Sequence, residues 1–181
     1  MSAIAVLMLT CTVMCADISG KAEEPKPEPT VAVTTQAQRT QRVESVGFKA
    51  YTIHGITPPE ELQRYLYGKL SERGIAWYMP YAVAQIWQES RWNPKSTNGR
   101  DHGLTQQKGI YWDGRAAAYG IPGADIWDAY AQLHVYTAMM AGYLAASGGD
   151  VGRALSMYYL GADGWAQSYV NAVTGHLNSL K

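Results

Sequence analysis

The sequence predicts a mainly α-helical single domain behind an N-terminal tail, and three observations carry that prediction. Between residues 57 and 177, six segments repeat apolar residues at intervals of three and four, each bounded by residues that start or stop helices. No run alternates apolar and polar residues for long enough to build a sheet, and there is no internal repeat. A length of 181 residues leaves room for one domain plus a tail.

The tail divides into two parts. From Ala3 to Ala16 the chain is apolar, rich in small residues and uncharged, the length of a signal-peptide core and short for a membrane span. Residues 1–16 therefore predict a signal peptide or other membrane-targeting segment, and with it export to the periplasm, the cell envelope or the outside. A lipid-anchored version would use Cys11 or Cys15, although the preceding Thr10 and Met14 are not the small residues such a cleavage site usually carries. Residues 17–56 bring Lys21, Glu23, Glu24, Pro25, Lys26, Pro27, Glu28 and Pro29, followed by a Thr/Gln/Arg stretch. Such a mixture buries too little apolar surface to offset its ordering entropy, so it predicts a flexible spacer.

The folded domain is expected over 57–181. Thr57-Pro58-Pro59-Glu60 reads as an N-cap, prolines in the first turn and a capping-box Glu. The helix that follows has Leu62, Tyr65, Leu66 and Leu70 as its stripe and Gly74 as its stop. A second helix starts near Pro80, buries Val83, Ile86 and Trp87, and ends before Asn93-Pro94. The Gly- and polar-rich stretch 93–109 cannot be a regular helix, and 104–111 has room for short extended pieces. Four more helices are expected over 113–119, 125–146 with Gly148-Gly149 closing it, 150–160, and 163 to about 177.

Composition excludes several functions. With 15 basic against 15 acidic residues the formal charge is zero, so nucleic acid is not the expected partner. Cys11 and Cys15 are the only cysteines, which leaves the domain without a disulfide framework, a thiol nucleophile or a Cys-ligated metal. His54, His102, His134 and His176 have no metal-ligand spacing, and there is neither a Gly-x-Ser-x-Gly elbow nor a phosphate loop. No cofactor and no metal are expected. The aromatics are 13 Tyr and 6 Trp against 1 Phe, rings with a polar edge as well as a flat face, as suits a wet cleft.

Glu89 is the candidate for chemistry. It lies in the last turn of the second helix at the edge of the apolar stripe, three residues after Ile86, where partial burial raises a carboxyl pKa toward that of a general acid. Pairing with Arg91, Lys95 or Arg100 is the competing, purely structural role.

Around it stand Glu89-Ser90-Arg91-Trp92-Asn93-Pro94, then Gly103-Leu104-Thr105-Gln106, then Ala154-Leu155-Ser156-Met157-Tyr158-Tyr159-Leu160-Gly161. In that order and spacing they resemble the three-part signature of the SLT-type lytic transglycosylases, members of the lysozyme-like group and relatives of goose-type lysozymes. The likeness covers most of the chain from Leu62 to Gly175.

It implies a lysozyme-like fold and a monomer that acts on peptidoglycan glycan strands, with a possible place in a cell-envelope or phage apparatus. It implies cleavage of the β-1,4 bond between N-acetylmuramic acid and N-acetylglucosamine with formation of an anhydro end. Glu89 matches the family's catalytic glutamate and Ser90 the serine that shapes the site. Gln106 matches the cleft-lining glutamine, and Tyr158 the tyrosine whose hydroxyl lies near the acid. Departures from the pattern are Tyr159 for Asn, Thr105 for Met, Gln107 for Ile, Lys108-Gly109-Ile110-Tyr111-Trp112 for the usual Pro and Thr, and His134-Val135 for Asn-Ile.

Tyr111 and Tyr159 are further substrate-binding candidates. Trp92, Trp112 and Trp165 are candidates to stack on sugar faces, whereas Trp87, Trp127 and Tyr130 are expected in the core. The alternatives are a lysozyme-type hydrolase that recruits Asp101 or Asp113 as a second acid, and a wall-binding module without turnover. Asp101 itself reads as a turn residue and Asp113 as a helix N-cap.

Overall fold

The computed structural model describes residues 48–162 and 164–181. The expected targeting segment 1–16 and most of the spacer lie outside the described residues, as does Asp163. Among the described residues there are six α-helices, a single 3-10 turn and one two-stranded hairpin, so the domain is mainly helical. No helix among them is long and apolar enough to cross a membrane.

Helix α1 spans Glu60–Glu72 and begins two residues later than Thr57 as its cap would have it. The reason is the proline pair: a residue before proline is pushed out of the helical region, so Pro58 cannot be helical, and extended Pro59 becomes the cap residue without a side-chain bond. The Thr57 hydroxyl instead meets that of Thr52 at 2.7 Å. Beyond the helix, Gly74 takes the left-handed conformation that stops it.

The boundary placed at residue 57 also moves. Ile53, assigned to the spacer, is fully buried. Thr52 and Lys181 exchange backbone hydrogen bonds at 3.0 and 2.9 Å, and Ile53 bridges to Leu180. The buried Gln63 side chain accepts from the Tyr51 amide at 2.9 Å and donates to the Tyr51 and Pro58 carbonyls. The folded part therefore includes Tyr51–Thr57.

A 3-10 turn over Ala76–Tyr78 leads into α2, Met79–Ser90, with a proline in its first turn. Its stripe of Ala82, Val83, Ile86 and Trp87 is buried as expected. The helix stops before Asn93-Pro94 because Arg91 and Trp92 have φ of 52° and 62°. Strands β1, Asp101–His102, and β2, Gln107–Lys108, pair antiparallel with His102 opposite Gln107.

Helix α3 runs Gly109–Ala118 with extended Lys108 as its cap, so it starts directly at the end of the hairpin and Asp113 is a mid-helix, exposed residue rather than an N-cap. Tyr111, in the stretch given to extended pieces, is therefore helical. Helix α4, Ala129–Ala146, is capped by Asp128, while Asp125 accepts from the Trp127 amide one turn earlier. It is largely apolar, and Leu133, Val135, Tyr136, Met139 and Met140 are buried along its middle. Helix α5, Val151–Leu160, has Asp150, expected as its first residue, as its cap, and α6 spans Gln167–Leu177, starting four residues later than expected.

Helix α4 packs against α1 and α5, and α2 packs against α6, which also meets α5. The core gathers Leu66, Leu70, Tyr78, Val83, Ile86, Leu133, Tyr136 and Met140. Trp87 belongs to it, but Trp127 and Tyr130 are only half-buried: Trp127 sits edge-on to His102 at 5.1 Å and Tyr130 edge-on to Tyr65 at 5.0 Å.

Candidate active site

The C-terminal end of α2, the hairpin, α5 and α6 meet around Glu89. The hairpin is held there by two buried side chains. Ser90 Oγ donates to the Leu104 carbonyl at 2.6 Å and also contacts the Ile86 carbonyl at 3.4 Å. Gln132 of α4 accepts from the Thr105 amide at 2.7 Å and from its hydroxyl at 3.1 Å, and donates to the His102 carbonyl at 2.9 Å. Gly103 makes this approach possible, because it has φ of 75° and a Cβ there would stand 1.9 Å from Gln132 Nε2. Ser90, expected to shape the site, thus acts by tying the hairpin turn to α2.

Glu89 is half-buried in the last turn of α2. Burial, reinforced by the charge of Asp101, pushes its carboxyl up from 4.5 to about 7, against the pull of a hydrogen bond that the Tyr169 hydroxyl donates to Oε1. Near neutrality the group is thus part acid and part carboxylate.

Tyr169 was not among the expected site residues. It sits in the buried stripe of α6 with Ala166, Val170 and Val173, and such a stripe reads as packing. The signal available was the hydroxyl itself, since a buried tyrosine oxygen needs a partner.

Burial, with the charge of nearby Glu89 added to it, drives the pKa of Tyr158 well up. The resemblance implies a hydroxyl near the acid, and the hydrogen bonds of this one go elsewhere than to Glu89. It donates to the Thr105 carbonyl at 2.5 Å and accepts from Gln107 Nε2 at 2.9 Å. The reason is local: the polar side chain of Gln107 is buried beside it and supplies a donor. Arg115 holds the other end of that amide, donating to Gln107 Oε1 at 2.7 Å, and its guanidinium lies 5.5 Å from the Tyr111 ring.

Gln106 has φ of 50°, and its amide nitrogen donates to the Gly103 carbonyl at 2.9 Å and the Ser96 carbonyl at 3.2 Å. Its donor end therefore closes the loop.

The expected aromatic platforms divide by exposure. Trp92 is 5% exposed, with its indole nitrogen donating to the Val83 carbonyl, and Trp112 is 3% exposed, donating to the Ala124 carbonyl. Both are core residues, because their positions turn the rings inward under α2 and α3, and neither can stack on a sugar. Tyr111 at 51% and Tyr159 at 55% are open to solvent, as is Trp165. Tyr159 stacks on Tyr169 with ring centroids 4.6 Å apart and planes 14° from parallel, which brings an exposed ring within one residue of the acid.

Asp101 opens β1 and closes the turn expected over Asn98–Asp101: its amide donates to Asn98 Oδ1 at 2.8 Å and its Oδ2 accepts from Asn98 Nδ2 at 2.9 Å, with Arg100 at 3.4 Å. His102 is 2.9 Å from the Thr97 hydroxyl. Among the described residues no group of three or more His, Cys, Asp or Glu side chains could hold a metal ion. The arrangement can donate and retrieve a proton beside exposed flat rings.

No family model, no curated protein and no solved structure matches the chain.

Proposed function

We propose that the chain is a peptidoglycan lytic transglycosylase with a lysozyme-like fold, exported to the cell envelope or beyond, and acting as a monomer without cofactor or metal. The observation that carries the reading is the state of Glu89: a half-buried carboxyl in the last turn of α2, with a pKa near 7 and one oxygen already held by a phenol. A mainly helical domain and the three sequence motifs meeting around that carboxyl support it as well.

Protonated Glu89 gives its proton to the bridging glycosidic oxygen as the bond to the muramic acid C1 breaks through an oxocarbenium-like state. The carboxylate then takes the proton of the same sugar's C6 hydroxyl as that oxygen bonds to C1, closing the anhydro ring. An intramolecular hydroxyl has a high effective concentration, so neither a second carboxylate nor an attacking water is required. Tyr159 and Tyr111 offer exposed faces on which sugar C–H surfaces can pack. The Tyr169 hydroxyl stabilises the carboxylate once the proton has left.

A lysozyme-type hydrolysis is favoured by one observation, that the charge of Asp101 is felt at Glu89. Against it, the carboxylate of Asp101 is already occupied by Asn98 and Arg100.

The deciding experiment is mass spectrometry of the products from purified sacculi, with wild type and Glu89→Gln in parallel. Anhydro ends that disappear in the variant support the proposal. Products heavier by one water point to a hydrolase. Tight binding with no released fragment points to a wall-binding module, and either of these outcomes overturns the transglycosylase reading.

A further inference from the structure

Three tyrosine hydroxyls converge on the side-chain amide of Gln85, which is fully buried in α2 one turn before Glu89 and on the same face. Tyr78 and Tyr136 donate to Gln85 Oε1 at 2.9 and 2.8 Å. Gln85 Nε2 donates to the Tyr169 oxygen at 3.1 Å, and Tyr169 donates to Glu89 Oε1. The chain of bonds therefore runs from the centre of the core to the candidate acid.

An amide differs from a hydroxyl in that its donor and acceptor ends are fixed by covalent structure. Two hydroxyl hydrogens occupy the lone pairs of Oε1, so the NH2 end faces Tyr169. A phenol has a single hydrogen. While its oxygen accepts from Nε2, that hydrogen goes to Glu89, and Oε1 of Glu89 acts only as an acceptor. The ionisable proton is then held on Oε2. The opposite amide orientation would turn the two buried hydroxyl hydrogens away from the carbonyl that takes them, and would have Tyr169 donate into the core instead of to the acid.

We propose that Gln85 is a positioning residue for Glu89: through Tyr169 its amide sets the direction of the hydrogen bond at the carboxyl and thereby selects the oxygen that carries the catalytic proton. The catalytic part of this statement rests on the function proposed above, whereas the effect on the carboxyl does not.

The groups that face Glu89 are Tyr169 from α6, Tyr158 from α5 and Asp101 from β1. Burial keeps both phenols neutral over the working range, and Asp101 is held by Asn98 and Arg100. On α2 itself the neighbouring Gln88 is engaged by His176, and Arg91 lies over the Trp87 ring. The hydrogen-bonded link from Gln85 to the acid runs by way of Tyr169, whereas Tyr136 reaches only the ring of Tyr158.

The test is the titration of Glu89 in the full chain, followed by NMR of the carbon-13-labelled carboxyl in wild type, Gln85→Met, Tyr169→Phe and the double variant. Gln85→Met should raise the midpoint by about half a unit or more, Tyr169→Phe by at least as much, and the double variant no further than Tyr169→Phe alone. A midpoint unchanged in Gln85→Met, or shifts that add in the double variant, overturns the proposal. Should Gln85→Met not fold, Tyr78→Phe with Tyr136→Phe keeps the ring packing and removes the two donors that orient the amide. An upward shift there supports the proposal and an unchanged midpoint overturns it. No substrate is involved, so the outcome stands apart from that of the digestion experiment.

Discussion

Replacing Glu89 with Gln should stabilise the domain, and by an amount that depends on pH in a definite way. Folding lifts this carboxyl from 4.5 to about 7, so the folded state prefers it protonated. Below the unfolded value both states carry the proton and the group is neutral toward stability. As pH rises through the folded value the unfolded chain has already ionised, and the fold bears the full cost of a charge in a poorly solvated place. At about 1.4 kcal/mol per pKa unit that cost approaches about 3 kcal/mol above neutrality. A Gln side chain has the same shape, accepts the Tyr169 hydrogen through its own Oε1 and never ionises. Urea unfolding of both proteins between about pH 4 and pH 8.5 isolates the term, since all other titrating groups cancel in the difference. The variant should match wild type at the acid end and exceed it by about 3 kcal/mol at the alkaline end, equivalent to roughly 6–12 °C in Tm for a domain of this size. A difference that stays flat across the range, or a variant less stable at high pH, would refute the claim that burial governs this carboxyl.

Gly103→Ala should cost at least about 2 kcal/mol in the same assay, because it combines a positive φ with a Cβ driven into the buried Gln132 amide. Trp92→Ala should cost about 3–5 kcal/mol through loss of a core ring. Tyr111→Ala should change stability by no more than about 0.5 kcal/mol and Tyr159→Ala, which also gives up the stack on Tyr169, by about 0.5–1.5 kcal/mol, and under the proposed function each should weaken glycan-fragment binding in calorimetry. His176, whose pKa is held down by burial and by His54 and Arg91, contributes stability that is present above about pH 6.5 and lost as pH falls. His176→Gln should therefore flatten the acid side of the stability profile, read by thermal melts across that range.

Much of the helical plan can be read from local signals. Asp150 with Gly148-Gly149 before it marks the start of α5, and the Ala82-Val83-Ile86-Trp87 stripe marks the buried face of α2, because caps and stripes are properties of neighbouring residues. What misleads is set by partners far along the chain. Ile53 is buried because it bridges to Leu180, and nothing in the flanking Thr/Gln/Arg composition announces that pairing. Glu89 is legible as the acid candidate from its place on the stripe and from the motif around it. Tyr169 is not, since its hydroxyl finds Glu89 only through the crossing of α2 and α6. Trp92 and Trp112 show the reverse error: a tryptophan in a polar stretch looks like a ligand platform until the backbone turns it inward.

The two left-handed residues that follow Ser90 bear on the acid in another way. By ending α2 at that point, Arg91 and Trp92 leave Glu89 in the final turn, at the negative pole of the helix. A positive pole there would favour the anion and strengthen the acid. This pole discourages ionisation, so the abrupt stop works together with poor solvation to hold a proton on the side chain. The backbone strain of two non-glycine residues with positive φ thus falls where it sets the polarity of the field around the one carboxyl on which the proposed chemistry depends.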